Sequence, residues 1–151
     1  MSVLRNKRSE SRAEFVNTAN QIYLETLHFL TRLSNRYSRL IAQDIMHLAS
    51  EVLDHCEKAN SIYPSGDERK AMRATHILEA RASLSALDIH LSHCYAIMMQ
   101  NPNGCIETAS GRPLKAGEAK IKLDKMSESL GCLIDTENNL LSKVLKSDKD
   151  R

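Results

Sequence analysis

The sequence predicts an all-α protein, an up-down-up-down four-helix bundle, on three observations. Ile77, Leu84, Leu91 and Met98 fall seven residues apart, with Ala80, Leu87 and Cys94 three residues after the first three of them. That spacing draws an apolar stripe down one side of a long helix. Three other stretches show a similar period. The turns between the first three helices are short, which favours antiparallel neighbours.

The first helix is expected to begin at Ser11. Ser11-Arg-Ala-Glu14 has the S-x-x-E form of a capping box, in which each side chain bonds a free backbone N–H of the other residue. Phe15, Ala19, Ile22, Phe29 and Leu33 follow at helical spacing. Residues 34–37, Ser-Asn-Arg-Tyr, are polar enough for a short turn. A second stripe runs Ile41, Ile45, Leu48, Val52, Leu53 and Cys56, and ends before the breaker Tyr63-Pro64-Ser65-Gly66. Ser65-Gly-Asp-Glu68 is another capping-box match, placing acids at the positive end of the third helix dipole. That helix runs to about Met99. The fourth carries Leu123, Met126, Leu130, Leu133, Ile134, Leu141 and Val144, and frays into the charged tail Lys146 to Arg151. One domain therefore spans 11–146, between a flexible basic arm at 1–10 and a charged tail at 147–151.

The joint between helices three and four differs from the others. Residues 100–117, QNPNGCIETASGRPLKAG, hold three of the five glycines and two of the three prolines. The segment exceeds the roughly two to eight residues usual in a bundle connection. Cys105-Ile-Glu-Thr108 and Arg112-Pro-Leu114, flanking Ala-Ser-Gly, have the pattern of a small hairpin. A solvated loop is the simpler reading and a loop carrying binding contacts the sharper one.

Composition narrows the function classes. There is no Trp and only two Phe, so Leu, Ile, Ala and Met must fill the interior. The net charge of +2 names no partner, and distribution matters more than total. No apolar run approaches the roughly 20 residues of a membrane helix, and the basic start MSVLRNKRSESR lacks the apolar core of a signal peptide. A soluble, cytoplasmic protein is expected. Cys56, Cys94, Cys105 and Cys132 share no C-x-x-C spacing and read as reduced, mostly core thiols.

Catalytic and metal chemistry find little support. Glu25-Thr-Leu-His28 has the E-x-x-H form of di-iron bundles, and Asp44-Ile-Met-His47 resembles it. Such a site needs its ligands pointing inward, yet Glu25 and His28 lie off their stripe, and Glu128 and Glu137 are placed off the apolar face of helix four. His90 and His93 flank Leu91 at the margin of the buried face, with no third ligand identifiable. No serine sits in a G-x-S-x-G elbow, and no Gly-rich phosphate loop is present. The expectation is a non-enzyme without cofactor or metal.

Basic residues are the remaining signal. Arg32, Arg36 and Arg39 cluster where helix one turns into helix two, with no acid from residue 26 to 43. Arg69, Lys70 and Arg73 open helix three, with Arg81 two turns on, offset by Asp67, Glu68 and Glu79. Arg5, Lys7, Arg8 and Arg12 form a third group. An antiparallel bundle puts the first two groups at opposite ends. Cations of this kind neutralise phosphates without reading sequence. Only Tyr37 among them offers a ring for base stacking. Helix two adds Leu40, Ala42, Met46 and Ala49 to its stripe, a surplus apolar arc of the sort found at subunit contacts, so a homo-oligomer is expected.

Three stretches carry a resemblance. RYSRLIAQDIMHLASEVLDHCEKAN, from Arg36 to Asn60, opens on an Arg-Tyr and ends on an Ala-Asn; LEARASLSALDIHLSHCY runs from Leu78 to Tyr95; KLDKMSESLGCL, from Lys122 to Leu133, contains a Leu-Gly. Together they resemble the second, third and final helices of a bacterial and phage four-helix-bundle family. It includes the accessory variability proteins of diversity-generating retroelements and the proteins encoded in ribosomal-RNA intervening sequences. The long 100–117 loop, the basic arm and the modest net charge depart from that pattern. The resemblance implies a homopentameric barrel that binds a reverse transcriptase and its template RNA and supports mutagenic complementary-DNA synthesis, with no catalytic residues of its own. Only Arg36 and Arg39 carry over as contacts. The sequence thus leads to a non-enzymatic RNA- or DNA-binding accessory protein using Arg32, Arg36, Arg39, Arg69, Lys70, Arg73 and Arg81. Its rivals are a bundle that binds only protein and, remotely, a metal bundle around His28, His47, His90 and His93.

Overall fold

A computed structural model describes residues 13–151 together with Ser2 and Leu4. Most of the basic arm at 1–10 and the capping serine at 11 lie outside the described residues. Four helices follow: α1 Glu14–Thr31, α2 Asn35–Asn60, α3 Gly66–Gln100 and α4 Ala116–Lys149. Their pairings fix the directions. Along α2 and α3, Arg36 meets Asn101, Glu51 meets Ser83, His55 meets His76, and Arg73 meets Ala59, so one index rises as the other falls. Tyr95 to Asp124 and Arg73 to Asp148 do the same for α3 with α4, as do Glu25 to Ser129 and the neighbours Phe15 and Val144 for α1 with α4. Four antiparallel interfaces close a ring of helices.

The stripes read from the sequence face the core. Phe15, Ala19, Ile22, Phe29 and Leu33 are buried, as are all seven stripe residues of α3 from Ile77 to Met98. The arc expected to be surplus on α2 is absorbed instead. Ala49 is fully buried, and Ile41, Ala42, Met46 and Leu48 pack against the core, leaving Leu40 outside. The reason is that α2 touches both α1 and α3, and two neighbours need a wider apolar arc than one. The unabsorbed apolar face belongs to α3. Leu78 and Ile89, 53% and 55% exposed, lie on the side away from Ile77 and Leu84.

Helix ends depart from the expected positions. The α1–α2 turn is residues 32–34, and Asn35, Arg36 and Tyr37 already belong to α2. Ala13, not Ser11, occupies the N-cap position of α1. Ser65 is the N-cap of α3, but its side chain makes no capping bond, because the chain enters the helix through Gly66 at φ 80°. The last helix continues through Lys149, past the tail expected from Lys146. Asp148 is buried there against Arg73.

Residues 101–115 form a docked hairpin. Thr108 N–H donates to Arg112 O (2.9 Å) and Gly111 N–H to Thr108 O (2.9 Å), enclosing a three-residue loop with Gly111 at φ 87°. Leu114 N–H donates to Ile106 O (2.9 Å), and Gly104 N–H to Leu114 O (2.8 Å). The hairpin is stitched onto the α1–α2 turn by Ser34 N–H to Cys105 O (3.0 Å) and Glu107 N–H to Arg32 O (2.7 Å). Cys105, Ile106 and Leu114 are buried beneath it. Its place has a geometric cause. At 18 residues, α1 is about half the length of α3 and α4, and the hairpin occupies the end that α1 does not reach.

Candidate functional site

The mismatch between a short α1, a long α4 and the hairpin leaves a cleft of ≈ 830 Å³. Leu24, Phe29, Ile106, Leu114, Met126 and Leu130 make its apolar lining. Its polar rim holds His28 from α1, Arg32 from the α1–α2 turn, Lys122 from α4, and the acids Glu25 and Glu107. Glu25 accepts a bond from the Ser129 hydroxyl at 2.7 Å, which ties α1 to α4 beside the cleft. An apolar floor with cations at its edge suits an anionic ligand that also carries a flat or greasy body. Lys122 is not among the basic residues that the sequence singles out for binding. Its signal was available only as three-dimensional neighbourhood, since 90 residues of chain separate it from Arg32.

The other basic residues divide by what they already hold. Arg36 donates from Nη2 to Asn101 O (3.2 Å) and Asn103 O (2.8 Å), and its guanidinium stands 4.9 Å from the Tyr37 ring centroid. It fastens the end of α3 to the start of α2. Arg73 is still more committed. Its Nε meets Asp148 Oδ2 at 2.6 Å, its Nη1 donates to Ala59 O and Ile62 O, and both side chains are nearly buried, 13% and 10% exposed. It therefore closes the end of α2 while pairing α3 with α4. Lys70 Nζ donates to the Arg151 backbone oxygen at 2.7 Å. Arg39, Arg69 and Arg81 make no hydrogen bond or ion pair among the described residues. Arg32, Arg36 and Arg39 lie at the hairpin end, and Arg69, Lys70 and Arg73 at the other, roughly 45 Å away along α3 at 1.5 Å per residue.

Among the described residues, no group of three or more His, Cys, Asp or Glu is placed to hold a metal. His28 and Glu25 share the cleft rim, His47 pairs with Glu51 at 3.0 Å, and His90 and His93 are exposed. Glu128 is exposed, but Glu137, expected off the apolar face, is fully buried. Its Oε2 is 4.0 Å from the Cys56 sulfur, and its Oε1 has no hydrogen-bond partner among the described residues. Burial pushes its carboxyl up to about 8, and pushes the Cys56 thiol well above its ordinary range, with the Glu137 charge adding to the latter. Burial likewise raises Cys94 to about 12, so neither core thiol is a ready nucleophile.

Compared with known proteins, the chain matches no family model, no curated protein and no solved structure. No described helix is long and apolar enough to cross a membrane.

Proposed function

We propose that the chain is a non-enzymatic nucleic-acid-binding accessory protein, the partner of a reverse transcriptase in a diversity-generating retroelement. One observation carries the nucleic-acid half of this reading: Arg32 and Lys122 share the rim of an apolar cleft at the hairpin end. A single strand crossing that rim lays phosphates against the two cations and sets a base on the floor around Phe29 and Met126. Arg39, exposed at the same end, offers a third phosphate contact. Glu25 and Glu107 on the rim oppose the attraction, so the association is weak and salt-labile. The reverse-transcriptase partner rests on the sequence resemblance. A chromosomal setting without a reverse-transcriptase gene removes that half alone.

The nucleic-acid half is tested by fluorescence anisotropy of a labelled single-stranded RNA. A surface holding about three phosphates loses roughly twentyfold in affinity for a fourfold rise in salt. Arg32→Glu and Lys122→Glu should each weaken binding by a similar factor. Affinity that ignores salt and both substitutions overturns the reading. A protein-only interaction module is the second reading, favoured by the exposed Leu78 and Ile89 on the outer side of α3.

A further inference from the structure

Helix α3 carries two uncharged stripes, the buried apolar one used by the bundle and a second of small residues around Leu78 and Ile89. The second runs through Ala71, Thr75, Leu78, Ala82, Ser85, Ile89, Ser92 and Ala96, alternately four and three residues apart, and all eight are exposed. None bears a charge. A 4-3 spacing held for more than three heptads is the seam of a helix that packs along another helix. Among the described residues nothing covers it, since α2 and α4 flank α3 on its other sides.

We infer that this face is a two-fold interface with α3 of a second copy, the two helices antiparallel and centred between Ser83 and Leu84. The charges beside the stripe single out that occupant. In this register Leu78 of one copy layers on Ile89 of the other, Ala82 on Ser85, and Thr75 on Ser92. Arg81 then falls opposite Asp88, a pair that occurs twice by symmetry. Sliding one heptad either way brings Arg81 against Arg81 or Asp88 against Asp88. Only the central register sets Arg81 against Asp88, and neither has an ion-pair partner among the described residues of its own chain. The strip is about 38 Å long and about 10 Å wide. That is small for a specific interface, so the dimer is a reversible one. It joins two copies, not the five that the sequence resemblance implies, and it stands whether or not the cleft binds nucleic acid.

Sedimentation equilibrium on the full chain tests it. The expected particle at high protein concentration has twice the 17.0 kDa chain mass. Ile89→Glu, on an exposed position, should give a helical monomer. Arg81→Asp should weaken the dimer by roughly tenfold or more through like-charge contact with Asp88. Adding Asp88→Arg to that variant should restore it. A monomer at every concentration, a five-chain particle indifferent to Ile89→Glu, or a double reversal that restores nothing overturns the inference.

Discussion

Glu137 occupies the position three after Ile134 and four before Leu141, which on a helix is the middle of the buried face. Among the described residues its carboxyl meets no cation, only the Cys56 thiol, and burial raises it from the ordinary 4.5 to about 8. The folded chain therefore holds a proton that the unfolded chain has released between those two values. Stability from this group is full below about pH 4.5 and falls as pH rises toward 8. Urea unfolding at a series of pH values should show that decline in the parent and a flatter profile in Glu137→Gln. Glu137→Leu should be the more stable at pH 8, by about 1–3 kcal/mol. A decline that persists in both variants would place its source elsewhere. The burial itself was legible in the 3–4 spacing. The assumption that an acid in a bundle faces water hid it.

At the scale of elements, the hairpin is the part on which the cleft depends, and Arg36 holds its root. Two carbonyls, those of Asn101 and Asn103, accept from one guanidinium where α3 has ended and its own hydrogen bonds have run out. Removing it exposes both to water at an open site, so Arg36→Ala should cost about 1–2 kcal/mol. Amide exchange is the sharper readout. The N–H groups of Ser34, Gly104 and Glu107 should exchange faster, while those of Leu84 to Cys94 in mid-α3 stay protected. Uniform acceleration along the chain would mean that Arg36 supports the whole bundle. The hairpin could be read in advance because Ala-Ser-Gly between two short apolar-bearing runs is turn chemistry, with Gly111 at the left-handed position. Helix starts were less legible. A capping-box pattern states only that a bond is possible, and the positive φ of Gly66 turns the chain so that Ser65 does not make it. The second stripe of α3 escaped for another reason. A search for one amphipathic face stops at the first, and Leu78 and Ile89 are separated by small residues that read as neutral.

For the whole molecule, the question is how two groups of cations at opposite ends serve one polymer. In a single chain they lie roughly 45 Å apart along α3 and act independently. The two-fold changes that. With the α3 helices antiparallel and centred near residue 84, position 69 of one copy lies across from position 98 of the other. Arg69 and Lys70 of each copy then stand beside the hairpin end of its neighbour, where Arg32, Arg39 and Lys122 are. One strand can reach both groups without spanning a bundle. Coupling between interface and binding follows. Arg69→Glu should weaken RNA binding several-fold in the dimer-forming parent and change nothing in the Ile89→Glu background, as read by anisotropy on the four proteins of that cycle. An equal loss in both backgrounds would mean that the Arg69 end binds RNA unaided. No loss in either would confine binding to the hairpin end and leave the α3 seam an assembly contact alone.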